Sequence, residues 1–228
     1  MGPGPVPPGG WQLKRHWRPS PNCGLRRDGL IPTHVVLHYT AMESAAAAIE
    51  RLCDPAAQVS AHYVICRSGA VTQLVAEGLR AWHAGAGEWA GFTDINSRSI
   101  GIELDNDGAS PFSELQMHNL ETLLRGLLSV WGIPPENVIG HSDMAPGRKI
   151  DPGPLFDWPR LEAQGLARSR GTSPVKQAAT PDAFVHAARR VGYSANTDTD
   201  TLLAAVRLRY RPGKTGPLDA DDLTPLGD

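Results

Sequence analysis

Hydrophobic and polar positions change period several times along this 228-residue chain, and each change marks an element. HVVLHYT (34–40) is a short apolar run rich in β-branched residues behind Pro32, the pattern of a buried strand. SAAAAIERLC follows from Ser44 and predicts a helix with a capping serine, stopped near Asp54-Pro55. SAHYVIC (60–66) and AVTQLV (70–75) flank Ser68-Gly69 and read as a β-hairpin. RSIGIEL (98–104) alternates and runs into the turn-forming Asp105–Gly108, a further strand. FSELQMHNLETLLRGLLSVWG (112–132) predicts the longest helix. Its Leu115, Leu120, Leu123, Leu124, Leu127 and Leu128 are assigned to one side, and Gly132 and Pro134 end it. ENVIGH (136–141) is a short strand whose last residue leads into the loop 142–153. Strands alternating with helices, plus a hairpin, predict an α/β fold with a mixed central β-sheet flanked by helices.

Both ends of the chain depart from this pattern. Residues 1–30 are rich in Pro and Gly and carry neither period, so they are expected to wrap the domain as an extended arm pinned by Trp11 and Trp17. After the main unit at 31–165 the composition turns polar, and 166–180 reads as a linker. PDAFVHAARRVGY (181–193) and DTLLAAVRLRYRP (200–212) then predict two amphipathic helices in a small helical C-terminal unit spanning 181–228, with the acidic stretch 219–222 solvated.

Charge and cysteine content narrow the function classes. Lys and Arg number 22 against 24 Asp and Glu, a net charge of −2 that leaves no polybasic footprint for nucleic acid. Cys23, Cys53 and Cys66 are an odd set without a CxxC spacing, which excludes a disulfide framework and an all-cysteine zinc site; Cys53 and Cys66 read as buried thiols. No run of eighteen apolar residues predicts a membrane span, and the first ten residues lack the apolar region of a secretory signal. A cytoplasmic location is expected, with a periplasmic one open should a leader have been removed.

Five polar residues fall at strand ends or in the loop after one: His38, Glu103, His141, Lys149 and Asp151. Ligand sites collect there in α/β folds, because the sheet holds the side chains while the loops stay open. Two histidines and a carboxylate suit catalytic zinc, which takes three protein ligands and keeps a fourth position for water. Plainer roles stand beside this one. His38 could be a hydrogen-bonded structural residue, Lys149 and Asp151 a loop ion pair, and His34 is read as structural. Glu103, between Ile102 and Leu104, has to be paired, exposed or functional, since an unpaired buried charge is too costly.

VVLHYT (35–40), SAHYVI (60–65), AWHAG (81–85), NSRSIGIEL (96–104) and GHSDMAPGRKIDPG (140–153) stand in the order seen in type 2 N-acetylmuramoyl-L-alanine amidases. The stretch from about Thr33 to Trp158 resembles that zinc amidase family, which also contains peptidoglycan recognition proteins. The resemblance implies Zn²⁺ held by His38, His141 and Asp151, with Glu103 and Lys149 as the catalytic pair. It implies hydrolysis of the amide between the lactyl group of N-acetylmuramic acid and L-alanine. The implied partners are peptidoglycan fragments, including muropeptides in the anhydro form, acted on by a monomer. Tyr63, Trp82 and His83 correspond to substrate-binding cleft positions, with core or rim packing as the alternative for Tyr63 and Trp82. His62 and His83 could instead be hydrogen-bond partners of a ligating histidine. A non-catalytic peptidoglycan recognition protein is the alternative function. LLAAVRLRYRP and GKTGPLDADDLT resemble the last helix and turn of a peptidoglycan-binding module, against the alternative of a helical cap packed on the amidase domain.

Overall fold

In the computed structural model, which describes residues 13–175 and 178–227, the predicted periods become a six-stranded mixed sheet with helices on both faces. The strands are β1 (Arg15–Trp17), β2 (Cys23–Leu25), β3 (His34–Tyr39), β4 (Tyr63–Ile65), β5 (Val71–Gln73), β6 (Leu79–Ala81), β7 (Ser99–Leu104) and β8 (Val138–Gly140). The helices are α1 (Ala45–Cys53), α2 (Ile95–Arg98), α3 (Glu114–Trp131), α4 (His141–Met144), α5 (Trp158–Ala163), α6 (Pro181–Arg190) and α7 (Thr199–Tyr210). The main sheet runs β1-β5-β4-β7-β3-β8, and β2 pairs with β6 apart from it. All neighbours in the main sheet are parallel except β4 and β5, which form the predicted hairpin.

Alternation along the central strands divides the core between two faces. Val35, Leu37, Ile100, Ile102, Leu104 and Val138 point toward α3, where they meet Met117, Leu120, Leu123, Leu124 and Leu127. Val36 and Ile139 point the other way and join Phe184, Leu202, Leu203 and Val206 of the C-terminal helices in a second cluster. The C-terminal unit therefore shares a core with the sheet. The segment before it is held to the chain end by Arg168, which donates to the Pro225 and Gly227 carbonyls.

Several expectations are corrected. α3 starts at Glu114, with the Ser113 hydroxyl accepting from the Gln116 N–H, and ends at Gly132 in the left-handed conformation (φ 64°). Leu115 is 61 % exposed because it lies about 140° around the helix from Leu120 at 3.6 residues per turn. Gln116 is buried in its place, donating to the Ile65 and Asp105 carbonyls. The N-terminal arm carries two strands, and Trp17 is 37 % exposed; Trp11 lies outside the described residues. The arm is anchored by Leu13 and Cys23 against the core and by polar bonds: Ser20 and Asn22 bond the carbonyls at the end of α1, and Arg26 donates to the Ser99 and Glu77 carbonyls. The acidic stretch is not fully solvated. Asp222 is 1 % exposed and takes two bonds from Arg207, at 2.9 and 2.6 Å. Cys53 and Cys66 are half-buried. Among the described residues no helix is long and apolar enough to cross a membrane.

Candidate active site

The register of three parallel strands assembles the site. His38 on β3 is directly opposite Glu103 on β7, so the two side chains leave the same face of the sheet. β8, on the other side of β3, ends at Gly140, and His141 opens α4 instead of closing the strand as expected. The loop after α4 returns Asp151 to the same place, fixed where the Ser142 N–H donates to the Asp151 carbonyl at 2.9 Å.

The metal-ligand candidates converge closely. His38 Nδ1 lies 3.0 Å from His141 Nδ1 and 2.9 Å from Asp151 Oδ2, and His141 Nδ1 lies 3.0 Å from the same oxygen. The surrounding hydrogen bonds decide where the ring protons sit. The Ser99 hydroxyl donates to the Ile95 carbonyl at 2.6 Å, so its oxygen accepts from His83 Nε2–H at 3.1 Å. Burial, reinforced by the neighbouring His38, holds the His83 pKa well below its usual value, so His83 is neutral and its Nδ1 is an acceptor. That Nδ1 accepts from His38 Nε2–H at 3.0 Å. His141 Nε2–H donates to the Ala84 carbonyl at 2.8 Å. Burial likewise lowers His38 to a pKa of about 4. His38 thus has its proton on Nε2 and a bare lone pair on Nδ1, and His141, with its Nε2–H on the Ala84 carbonyl, turns its Nδ1 to the same point.

Two imidazole nitrogens and a carboxylate oxygen that converge at 3 Å need a shared proton or a cation between them. Tetrahedral zinc with Zn–N bonds near 2.0 Å spaces its ligands by about 3.3 Å, close to these separations. The donor set fits a divalent metal, and the outward bonds to His83 and Ala84 are the orienting contacts such ligands require.

Glu103 and Lys149 border the same cleft of about 790 Å³, together with Trp82, Arg51 and Leu52. Glu103 Oε2 is sealed from solvent with no partner. Burial and the nearby Asp151 carboxylate push the Glu103 pKa up to about 8, with Lys149 opposing. A carboxyl group poised near neutrality is suited to proton transfer. Trp82 is half-buried in the cleft wall, as a cleft residue should be.

Tyr63 is placed elsewhere. It pairs with Ile102 and so faces α3, on the side of the sheet opposite Glu103. Its hydroxyl donates to Glu77 and accepts from Arg15, a buried anchor for the arm. His62 faces the site side but stays behind it. Its Nδ1 accepts from the Gly101 N–H at 3.0 Å and its Nε2 donates to the Leu79 carbonyl. His34, four residues before His38, is buried against Thr33 and takes no part in the triad.

Ser99, Gly101 and Arg148 escape a reading of the sequence. Gly101 shares the face of Glu103, and a Cβ there would sit 2.4 Å from the His83 ring, so the missing side chain is the space His83 occupies. The signal was the break in alternation at the glycine of IGIE (100–103). Arg148 ties the cleft loop by donating to the Ala84 carbonyl at 2.8 Å.

Comparison with known proteins agrees with this geometry. The family model for N-acetylmuramoyl-L-alanine amidase matches residues 28–154. The N-acetylmuramoyl-L-alanine amidase AmiD of Escherichia coli K12 is 40 % identical over 148 residues, spanning 58 % of this chain and 52 % of AmiD. The 1,6-anhydro-N-acetylmuramyl-L-alanine amidase AmpD of Salmonella typhimurium SL1344 is 35 % identical over 175 residues, 69 % of this chain and 94 % of its own. A solved complex of E. coli AmiD with the substrate anhydro-N-acetylmuramic acid-L-Ala-D-γ-Glu-L-Lys superposes with a TM-score of 0.77 at 31 % identity, covering 86 % of this chain and 87 % of that one. With its matched segment carrying the whole histidine, carboxylate and lysine cluster, the chain belongs to the N-acetylmuramoyl-L-alanine amidase family.

Proposed function

We propose that His38, His141 and Asp151 hold Zn²⁺ and that the protein hydrolyses the amide joining the lactyl group of N-acetylmuramic acid to L-alanine in muropeptides. The observation that carries this reading is the convergence of two imidazole Nδ1 atoms and a carboxylate oxygen at 2.9–3.0 Å beside Glu103. Zinc in such a site supplies a Lewis acid that polarises a carbonyl and brings water within reach of deprotonation near neutral pH.

The protein's own groups carry the protons and charge. Glu103 takes the proton of the attacking water and returns it to the amine nitrogen as the C–N bond breaks. For the first of these steps Glu103 has to be ionised, and a cation in the adjacent triad draws it toward that form. The Lys149 ammonium, two residues before Asp151 in the same loop, stands against the oxyanion that develops on the scissile carbonyl. Trp82 offers a ring face to sugar or peptide at the cleft wall, whereas His83 is committed to His38 and Ser99.

The relatives named above support muropeptides with a 1,6-anhydro sugar as substrates. Offering zinc-loaded protein soluble anhydro-muropeptides and intact sacculi side by side, with mass spectrometry of the products, tests the reading. Free stem peptide with an N-terminal alanine is expected from the soluble substrate. Muropeptide bound by the zinc-loaded protein and recovered intact would reject hydrolysis in favour of recognition.

A further inference from the structure

We propose that Tyr193 and Arg209 of the C-terminal helical unit are positioning residues for the metal site, acting on His141 through Asp143. The inference rests on His141 being a metal ligand. His141 occupies an exposed point of the architecture: β8, the strand that delivers it, lies at the edge of the main sheet and pairs only with β3. An edge strand of three residues has little of its own to fix its end.

The missing constraint comes from the C-terminal unit. Asp143, third residue of α4, is fully buried, and its Oδ2 accepts from the Gly140 N–H at 2.8 Å, closing the turn on which His141 sits. The same Oδ2 accepts from Arg209 Nη1 at 2.7 Å, and Oδ1 accepts from the Tyr193 hydroxyl at 2.6 Å. Arg209 Nη1 also reaches the Val138 carbonyl on the open side of β8, at 3.3 Å. Both C-terminal residues are nearly inaccessible, Tyr193 at 1 % and Arg209 at 3 %.

The Arg209 guanidinium is only partly satisfied, since its Nε and Nη2 have no partner. It is stacked instead over Trp158, 4.0 Å from the ring centroid. A buried ion pair generally gains little net stability over an apolar replacement, and this one is incompletely bonded. Its distinctive contribution is geometric: it fixes one carboxylate, and that carboxylate fixes the backbone on both sides of a ligand. In this arrangement α6, α7 and the turn between them brace the metal centre, whatever else the unit binds.

The experiment compares Tyr193→Phe and Arg209→Lys with Arg207→Lys, all in the full-length protein. Arg207 belongs to the same helix and makes an equally buried pair, with Asp222, that does not touch Asp143. Zinc affinity of the metal-free proteins is measured by competition with a chromophoric chelator, well below their unfolding temperatures, and the visible spectrum of the Co²⁺-substituted form reports ligand geometry. Tyr193→Phe is expected to weaken zinc binding about tenfold and to change the Co²⁺ bands, lowering kcat with little effect on KM. Arg209→Lys is expected to do the same, and Arg207→Lys to match the wild type. Zinc affinity within twofold of wild type for Tyr193→Phe overturns the proposal, as does an equal loss in Arg207→Lys. Tyr193→Phe, which deletes one oxygen, decides alone should Arg209→Lys not fold. A wild-type protein that takes up no zinc would instead overturn the metal reading itself.

Discussion

Replacing His83 by phenylalanine keeps a planar ring in the space above Gly101 and removes both ring nitrogens. His38 Nε2–H loses its acceptor at 3.0 Å, and the Ser99 hydroxyl loses the donor on its other side at 3.1 Å. Leaving a buried donor unpaired costs about 1–3 kcal/mol. Loss of the group that orients a ligating histidine lowers metal affinity by about 10–100-fold, or roughly 1.4–2.8 kcal/mol. The two ranges overlap because they describe the same bond, seen once as folding and once as ligand orientation. Unfolding of the metal-free variant reads the first, and chelator competition for Zn²⁺ reads the second. His83→Phe is expected to lose stability in both forms and to bind zinc about tenfold or more weakly. His83→Gln, which restores an acceptor oxygen, is expected to recover part of the affinity. Zinc binding within threefold of wild type in His83→Phe would refute the argument that this relay sets the His38 tautomer.

Other expectations follow from the same geometry. Gly101→Ala places a methyl group against the His83 ring and is expected to cost about 1–3 kcal/mol in chemical denaturation while weakening zinc binding as His83→Phe does. Glu103→Gln should lower kcat by about 10²–10⁴-fold with zinc content and thermal stability preserved, measured by product release and metal analysis. Lys149→Met should lower kcat by about 10²–10³-fold with a smaller change in KM, measured in steady-state kinetics. In metal-free protein Glu103 titrates near pH 8 when folded and near its ordinary value when unfolded, so the folded state holds the extra proton between them and stability falls as pH rises through that window. His34 and His38, lowered to about 4, His62, lowered to about 3, and His83, lowered well below its usual value, act oppositely but level off about one unit above pH 6.5. Urea denaturation at about pH 7.5 and about pH 9 should therefore show a fall in stability that Glu103→Gln abolishes.

Period was enough to find β3, β7, the hairpin and α3, because each has one face or both against the core. Period placed His38 and Glu103 on strands, and the parallel register of β3 and β7 then sets them side by side, while the ligand set followed from the family resemblance. Tyr63 was misplaced for a related reason. Its strand contributes to both sides of the sheet, and only the pairing with Ile102 tells which residues face the cleft. Leu115 failed on helical phase, which the caps at Ser113 and Gly132 do not fix. His83 was open to reading as a hydrogen-bond partner of a ligating histidine, and it meets His38. Asp143, Asp222 and the Ala84 carbonyl that orients His141 were beyond reach, because their roles depend on contacts between residues far apart in the chain, such as Arg209 with Asp143, 66 positions away. A side chain that acts by its absence, as at Gly101, leaves only a gap in the pattern.

One proposed metal ligand, His38, and the proposed acid–base carboxylate, Glu103, are set by strand pairing, and this separates what can vary from what cannot. Shifting a β-strand by one residue would turn His38 or Glu103 to the opposite face, so small displacements of the sheet are forbidden and the reacting centre is digital in its tolerance. The α1 side of the cleft, with Arg51, Leu52 and Val59, lies outside that register. Substitutions there can reshape the cleft wall while His38 and Glu103 keep their register, so the scaffold can vary what the cleft admits without disturbing the paired side chains.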